Sequence, residues 1–206
     1  MTTRKITCFC DNEIEIQIPE TVDLEKEPGK EREILDGAFL SFRCDQCGKI
    51  LKPEFPVKFV DSSRQIEICL LPELERGAFS RGKAEYKLED GTNGRVVIGY
   101  PELVEKIKVV RDNLDDRILE VMKFYLLEKA GADDSVRAYY FSKTGDSIEF
   151  HIYGMREDEV GVSKVPLRVY EQIAGELSQK ETAEFFAPIL EPPYVSIHKT
   201  YREAAE

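Results

Sequence analysis

The residues of this chain whose types and spacing could do chemistry are its cysteines. FRCDQCGK at 42–49 holds two thiols three positions apart, followed at once by Gly48. Such a turn lets both sulfurs converge on one ion, while glycine takes the backbone to positive φ. Half a tetrahedral site is then present. The other local pair is Cys8 and Cys10 in TCFCDN, where side chains at i and i+2 share one face of an extended strand. The full spacing, C-x-C-x33-C-x2-C, gives four thiolates and no histidine, the donor set of a closed, structural zinc site with no open position for water. Cys8, Cys10, Cys44 and Cys47 are therefore the expected zinc ligands. Cys69, within QIEICLL, has no cysteine or histidine beside it and reads as a small buried hydrophobe.

Other candidate motifs have simpler structural readings. GAFSRGKA at 77–84 follows a phosphate loop as far as Lys83, but Ala84 lacks the hydroxyl that would bind magnesium, and a strand-like AEYKLED follows where a helix is required. His151 and His198 lie far from the cysteines in sequence and read as surface-strand residues; neither G-x-S-x-G nor H-E-x-x-H occurs. NLDDRILE carries Asp115, Asp116 and Glu120, which read as a helix start capped by Asn113 with acids in the first turn. The same acids, with Glu149, are the groups an enzyme would use as a magnesium site or an acid–base pair. Tyr139, Tyr140, Phe141, Phe150 and Tyr153 read as core of two facing strands rather than a stacking platform for bases, because no arginines interleave them.

Composition narrows the function classes. The chain has 206 residues, 42% of them hydrophobic, with eleven Phe and nine Tyr, enough for a substantial core. A net charge of −11 repels a phosphate backbone and argues against nucleic acid as partner. The N-terminal MTTRKITCFCDNE lacks the apolar core of a signal peptide, and no run approaches the roughly 18 apolar residues of a membrane span. A cytoplasmic location is expected. An odd number of cysteines, five, in a reducing compartment favours metal over disulfides.

These groups must be positioned by regular elements. EIEIQI at 13–18 alternates as a strand with Ile14, Ile16 and Ile18 on one face, ended by Pro19. EREILDG reads as a short helix closed by Gly37. FLSFR and EFPVKFV read as strands that put the second cysteine loop at a hairpin tip, and QIEICLL as a strand with Ile66, Ile68 and Leu70 inward. KAEYKLE, DGTNG and RVVIGY read as a central hairpin. PELVEKIKVVRDNLDDRILEVMKFYLLEKAG, 101–131, has helical spacing throughout, with a break at Asn113 to Asp116. GADDS, 131–135, is the expected domain boundary. Beyond it come SVRAYYFS and SIEFHIYG, a strand near 160–164, a helix from about Pro166 to Lys180, and a tail whose diproline reads as extended and whose end reads as frayed.

The order TCFC, EIEIQIPETVD, EILDGAFLSFRCDQCG, FPVKFVD and RVVIGYPELVEKIKVVRDNLDDRILEVMKFYL resembles the bacterial and archaeal CpXC proteins over about residues 6–128. The resemblance implies a zinc-ribbon-like N-terminal half with Cys8, Cys10, Cys44 and Cys47 as ligands; it implies no activity. Phe9 and Asp45 stand where the family pattern has proline, and one residue rather than two separates Cys8 from Cys10. The expected fold is α+β: a zinc-ribbon-like β segment, a central hairpin and a long helix in a CpXC-like domain, 1–130, then a small α/β module, 131–206. The expected function is that of an interaction or scaffold protein with a structural zinc and a protein or small-molecule partner. The alternatives are an enzyme with an acidic site between the two domains, and a nucleic-acid-binding zinc ribbon.

Overall fold

The computed structural model of the chain describes residues 1–89 and 93–199. It is a mixed α+β fold with six α-helices and four separate sheets among the described residues. It divides into two compact units, Met1–Val104 and a second beginning at Glu105.

In the first unit, β1 (Thr2–Thr7) and β2 (Glu13–Ile18) form an antiparallel hairpin running from Thr2 opposite Ile18 to Thr7 opposite Glu13. The alternation of β2 holds, with Ile16 and Ile18 buried and the glutamates exposed. β3 (Thr21–Asp23) leads into α1 (Pro28–Leu35), with Pro at the first turn and Gly37 past its end at φ +68°, where only glycine is unstrained.

β4 (Phe42–Arg43) pairs with β5 (Ile50–Leu51) around the second cysteine loop. The hairpin therefore closes on Ile50 and Leu51 rather than on EFPVKFV. Pro53 and Pro56 remove ladder donors, and regular pairing resumes only at β6 (Val57–Asp61), which joins another sheet. That sheet has the order β3-β6-β7-β8, with β7 at Ile66–Leu71 and β8 at Asn93–Ile98. Five of the six β7 residues are buried, so the inward face expected from alternation extends to both faces of this interior strand.

The central hairpin is not formed. Residues 83–89 are outside any strand, and β8 runs parallel to β7, Ile66 opposite Asn93 through Leu71 opposite Ile98. A parallel pair needs a long crossover, and the described residues from 72 to 89, including α2 (Arg76–Ser80), belong to it. The apolar RVVI run, buried from Arg95 to Ile98, suits a strand covered on both faces better than a half-exposed hairpin arm. Most of the expected DGTNG turn, 90–92, lies outside the described residues.

α3 (Tyr100–Arg111) runs through the division between the units, and α4 (Asp116–Ala130) follows a break at Asp112 to Asp115. β9 (Arg137–Thr144), β10 (Ser147–Arg156) and β11 (Glu159–Pro166) form an antiparallel sheet ordered β11-β10-β9. α5 (Leu167–Leu177) and α6 (Lys180–Leu190) complete the second unit. One core joins Ile118, Leu119, Val121 and Met122 of α4 to Ala138, Tyr140, Ile148 and Phe150 of the sheet and to Ile173, Phe186 and Ile197. The second compact unit includes α4, whose apolar stripe forms the floor under the sheet.

Three further expectations change. α6 was not legible, since Pro188 lies inside it and the EPP that follows reads as extended. Tyr140 and Phe150 are core, whereas Tyr139, Phe141 and Tyr153 occupy the outward positions of the sheet, Phe141 stacked on His151 at 3.8 Å. His198 is buried in a turn at Ile197–Lys199 rather than placed on a surface strand, and the tail from Tyr194 to His198 is buried; its end, 200–206, lies outside the described residues. No helix among the described residues is long and apolar enough to cross a membrane.

Candidate metal centre

Two short hairpins bring the four cysteines together. Cys8 and Cys10 lie in the loop between β1 and β2, and Cys44 and Cys47 in the loop between β4 and β5. Each loop is a tight turn held by its own backbone. Cys8 donates to the carbonyl of Asn12 at 2.9 Å, and Asp11 donates back to that of Cys8 at 3.0 Å; Cys44 donates to Lys49 at 2.8 Å, and Gly48 to Cys44 at 2.9 Å. In both loops the residue directly after the second cysteine is left-handed, Asp11 at φ 64° and Gly48 at φ 73°. The two loops are thus built alike, although one is C-x-C and the other C-x2-C.

All four sulfurs lie within 4.8 Å of one another. Across the loops, Cys8 and Cys47 are 3.6 Å apart and Cys10 and Cys44 3.7 Å. A tetrahedral ion with metal–sulfur bonds of about 2.3 Å sets sulfurs about 3.8 Å apart, so the geometry fits a metal ion bound by four thiolates. Cys8 and Cys44 are buried against Leu51, with Ile6, Cys10 and Ile14 packed around them, while Cys47 is exposed. The four cysteines named from sequence are the ones the fold brings together, and Cys69 stands apart in β7, its thiol raised by burial.

The electrostatics distinguish the thiols. The backbone N–H of Cys47 stabilises the Cys44 thiolate, and, against the cost of burial, the Asn12 amide and the Gln46 N–H help hold it down at about 6. At Cys10 the backbone N–H of Asn12 favours the thiolate, but desolvation and the other three sulfurs outweigh it and push the thiol up to about 12. Cys8 is raised as well, the backbone N–H of Cys10 being overcome by desolvation and by Cys47. A metal ion held here would find the Cys44 thiolate favoured and would displace protons from Cys8 and Cys10.

Sequence reasoning missed Asn12. Its side-chain amide donates to the Cys44 sulfur at 3.6 Å and to the Asp45 carboxylate at 2.7 Å, crossing from the first loop to the second. It also missed β1, whose TTRKIT lacks apolar alternation and is specified by its partner β2.

Asp115, Asp116 and Glu149 are each paired with a different cation. Asp115, not Asn113, is the N-cap of α4: its carboxylate accepts from the Arg117 N–H at 2.9 Å and pairs with the Arg117 guanidinium at 2.6 Å, while its own N–H donates to Tyr170 Oη. Asp116 pairs with Lys106. Glu149 pairs with His151 at 3.0 Å and with Lys164 at 3.3 Å, which hold its carboxyl below the usual range. A groove of about 650 Å³ beside Asp115 and Arg117 is lined otherwise by Ile118 and residues of α5 and α6, without Asp116 or Glu149.

An uncharacterized protein of Treponema pallidum (strain Nichols) is 28% identical over 218 residues, which span 97% of this chain and 99% of that protein. No solved structure matches the chain. Residues 6–123, more than half of the sequence and containing both cysteine loops, match the family model described as CpXC protein, and the chain belongs to that family.

Proposed function

We propose that Cys8, Cys10, Cys44 and Cys47 hold one structural zinc ion that joins the two hairpins, in a cytoplasmic protein that acts as an interaction or scaffold module. The observation that carries the reading is the convergence of four cysteine sulfurs within 4.8 Å, with no histidine or carboxylate in the cluster among the described residues. Four thiolates select a soft or borderline ion and fill a tetrahedron, which leaves no position for a reacting water. Thiolate ligands also require a reducing compartment, which suits the cytoplasm. The second hairpin has little core: β4 and β5 are two residues each, and the cluster beneath the site has Leu51 as its one buried residue other than cysteine. A zinc ion supplies the missing cross-link, as it does in small metal-stapled folds.

A protein or small-molecule partner fits this reading, and the net charge of −11 disfavours nucleic acid. The test is metal analysis of reduced full-length protein after equilibrium dialysis, with hydrogen exchange on the zinc-loaded and metal-free forms. One zinc per chain is expected, with amides of 2–18 and 42–51 losing protection on metal removal while those of β6 to β8 keep it. Less than one ion per chain after thorough exchange would reject the proposal.

A further inference from the structure

The strongest observation that the ligand set leaves unused is Asn12. It sits two residues after Cys10 in TCFCDN, on the first loop. Its backbone N–H favours the thiolate form of Cys10. Its side-chain amide reaches across to the second loop and donates to the Cys44 sulfur at 3.6 Å, with a further bond to Asp45 at 2.7 Å. A single residue therefore serves one sulfur from each half-site, and its own carbonyl accepts from the Cys8 N–H, closing the first loop.

This matters because four thiolates around a divalent ion carry a net charge of −2, and donors to sulfur are what spread that charge. Outer-sphere groups of this kind also fix the orientation of the ligands they touch. The backbone N–H donors in each loop come from that loop, as at Cys44, which receives them from Gln46 and Cys47. The Asn12 side chain is an amide donor from across the loops, and it falls on a cysteine that is 1% exposed as a residue.

We infer that Asn12 is a positioning residue of the metal centre: its amide sets the Cys44 thiolate and withdraws charge from it, and so sets how tightly the ion is kept. The inference rests on the zinc reading above. An alternative role, as a mere tie between the loops, would act through Asp45 alone.

The experiment uses reduced, metal-free full-length protein with zinc and cobalt as probes, comparing wild type with Asn12→Ala, Asn12→Gln and Asp45→Ala. Zinc affinity is read by competition with a chromophoric chelator, and the sulfur-to-cobalt charge-transfer band reports electron density on the thiolates. Asn12→Ala is expected to weaken zinc binding about ten- to a hundredfold and to move the cobalt band to lower energy. Asn12→Gln, which keeps an amide donor, recovers part of both, and Asp45→Ala leaves the band in place. Wild-type affinity and an unmoved band in Asn12→Ala would overturn the assignment while leaving the zinc site intact, as would Asp45→Ala reproducing both changes. A wild type that binds neither ion removes this inference together with the zinc reading.

Discussion

The ammonium of Lys123 lies 3.0 Å from each carboxylate oxygen of Glu105, with 2% of the lysine side chain exposed. Glu120 meets the same ammonium at 2.5 Å. Each acid then anchors a different segment: Glu105 accepts the N–H of Tyr140 in β9 at 2.6 Å, and Glu120 that of Ile197 in the tail at 2.9 Å. Burial raises the Glu120 carboxyl, and the two carboxylates overcome desolvation to hold Lys123 above the ordinary lysine range. Removing the cation leaves two buried acids side by side without the ammonium between them, which costs about 3–5 kcal/mol. Lys123→Met should therefore destabilise the second unit by about that much in denaturant unfolding. Glu105→Gln with Glu120→Gln in the same background should recover part of the loss. An unchanged midpoint in Lys123→Met would show that the triad contributes nothing.

The tail is held by more than this hydrogen bond. Ile197 is fully buried in the core shared by α4, the sheet and α6, and Tyr194 and Val195 are buried beside it in the chain. Ile197→Ala removes buried methylenes where the neighbours are fixed by sheet and helix, so a loss of about 2–5 kcal/mol is expected. Hydrogen exchange should show α4, α5 and β9 to β11 losing protection together. A change confined to residues 193–199 would mean that the tail is an appendage rather than part of the core.

Metal binding should depend steeply on pH. Cys8 and Cys10 are raised above the ordinary thiol value of 9.0, so both carry protons at neutral pH that the ion must displace. Affinity then rises with pH, with a slope of at least about two decades per unit between pH 6.5 and 8. Cys44, held at about 6, is already a thiolate there; below pH 6 its proton joins the competition and the slope steepens by about one more. Zinc titrations against a competing chelator across pH 5–8 give the slope directly. A value of one or less at neutral pH would contradict an arrangement in which Cys8 and Cys10 hold their protons and Cys44 has lost its own.

Much of this site could be read from the chain because its chemistry is local. C-x2-C followed by glycine needs little context, and the EIEIQI alternation specifies its own buried face. What was hidden depended on partners. TTRKIT becomes β1 only against β2, and Asn12 gains its role only when Cys44, 32 residues on, is brought beside it. KAEYKLE shows the opposite failure: a locally convincing strand pattern yielded to the parallel pairing of β7 and β8, which required that stretch as crossover. The placement of α4 followed the same logic, since helical periodicity reveals an apolar stripe but not which sheet covers it.

The paired left-handed residues give the sharpest local test, because the same backbone conformation is filled by opposite choices. Gly48, at φ 73°, pays no steric penalty, and a Cβ there would meet only the Arg43 guanidinium at 3.9 Å, so strain would come from the backbone alone. Gly48→Ala should cost about 1–2 kcal/mol in unfolding of the zinc-loaded first unit. Asp11, at φ 64°, already bears that strain, eased by the tolerance of aspartate for this region. Asp11→Gly relieves the strain but frees the unfolded loop; its effect should be smaller than that of Gly48→Ala and of opposite or near-zero sign. Zinc affinity should follow the same order, because each residue fixes the turn that aims the preceding cysteine. If Asp11→Gly weakened zinc binding as much as Gly48→Ala, the Asp11 side chain, rather than its backbone angle, would be what the first loop requires.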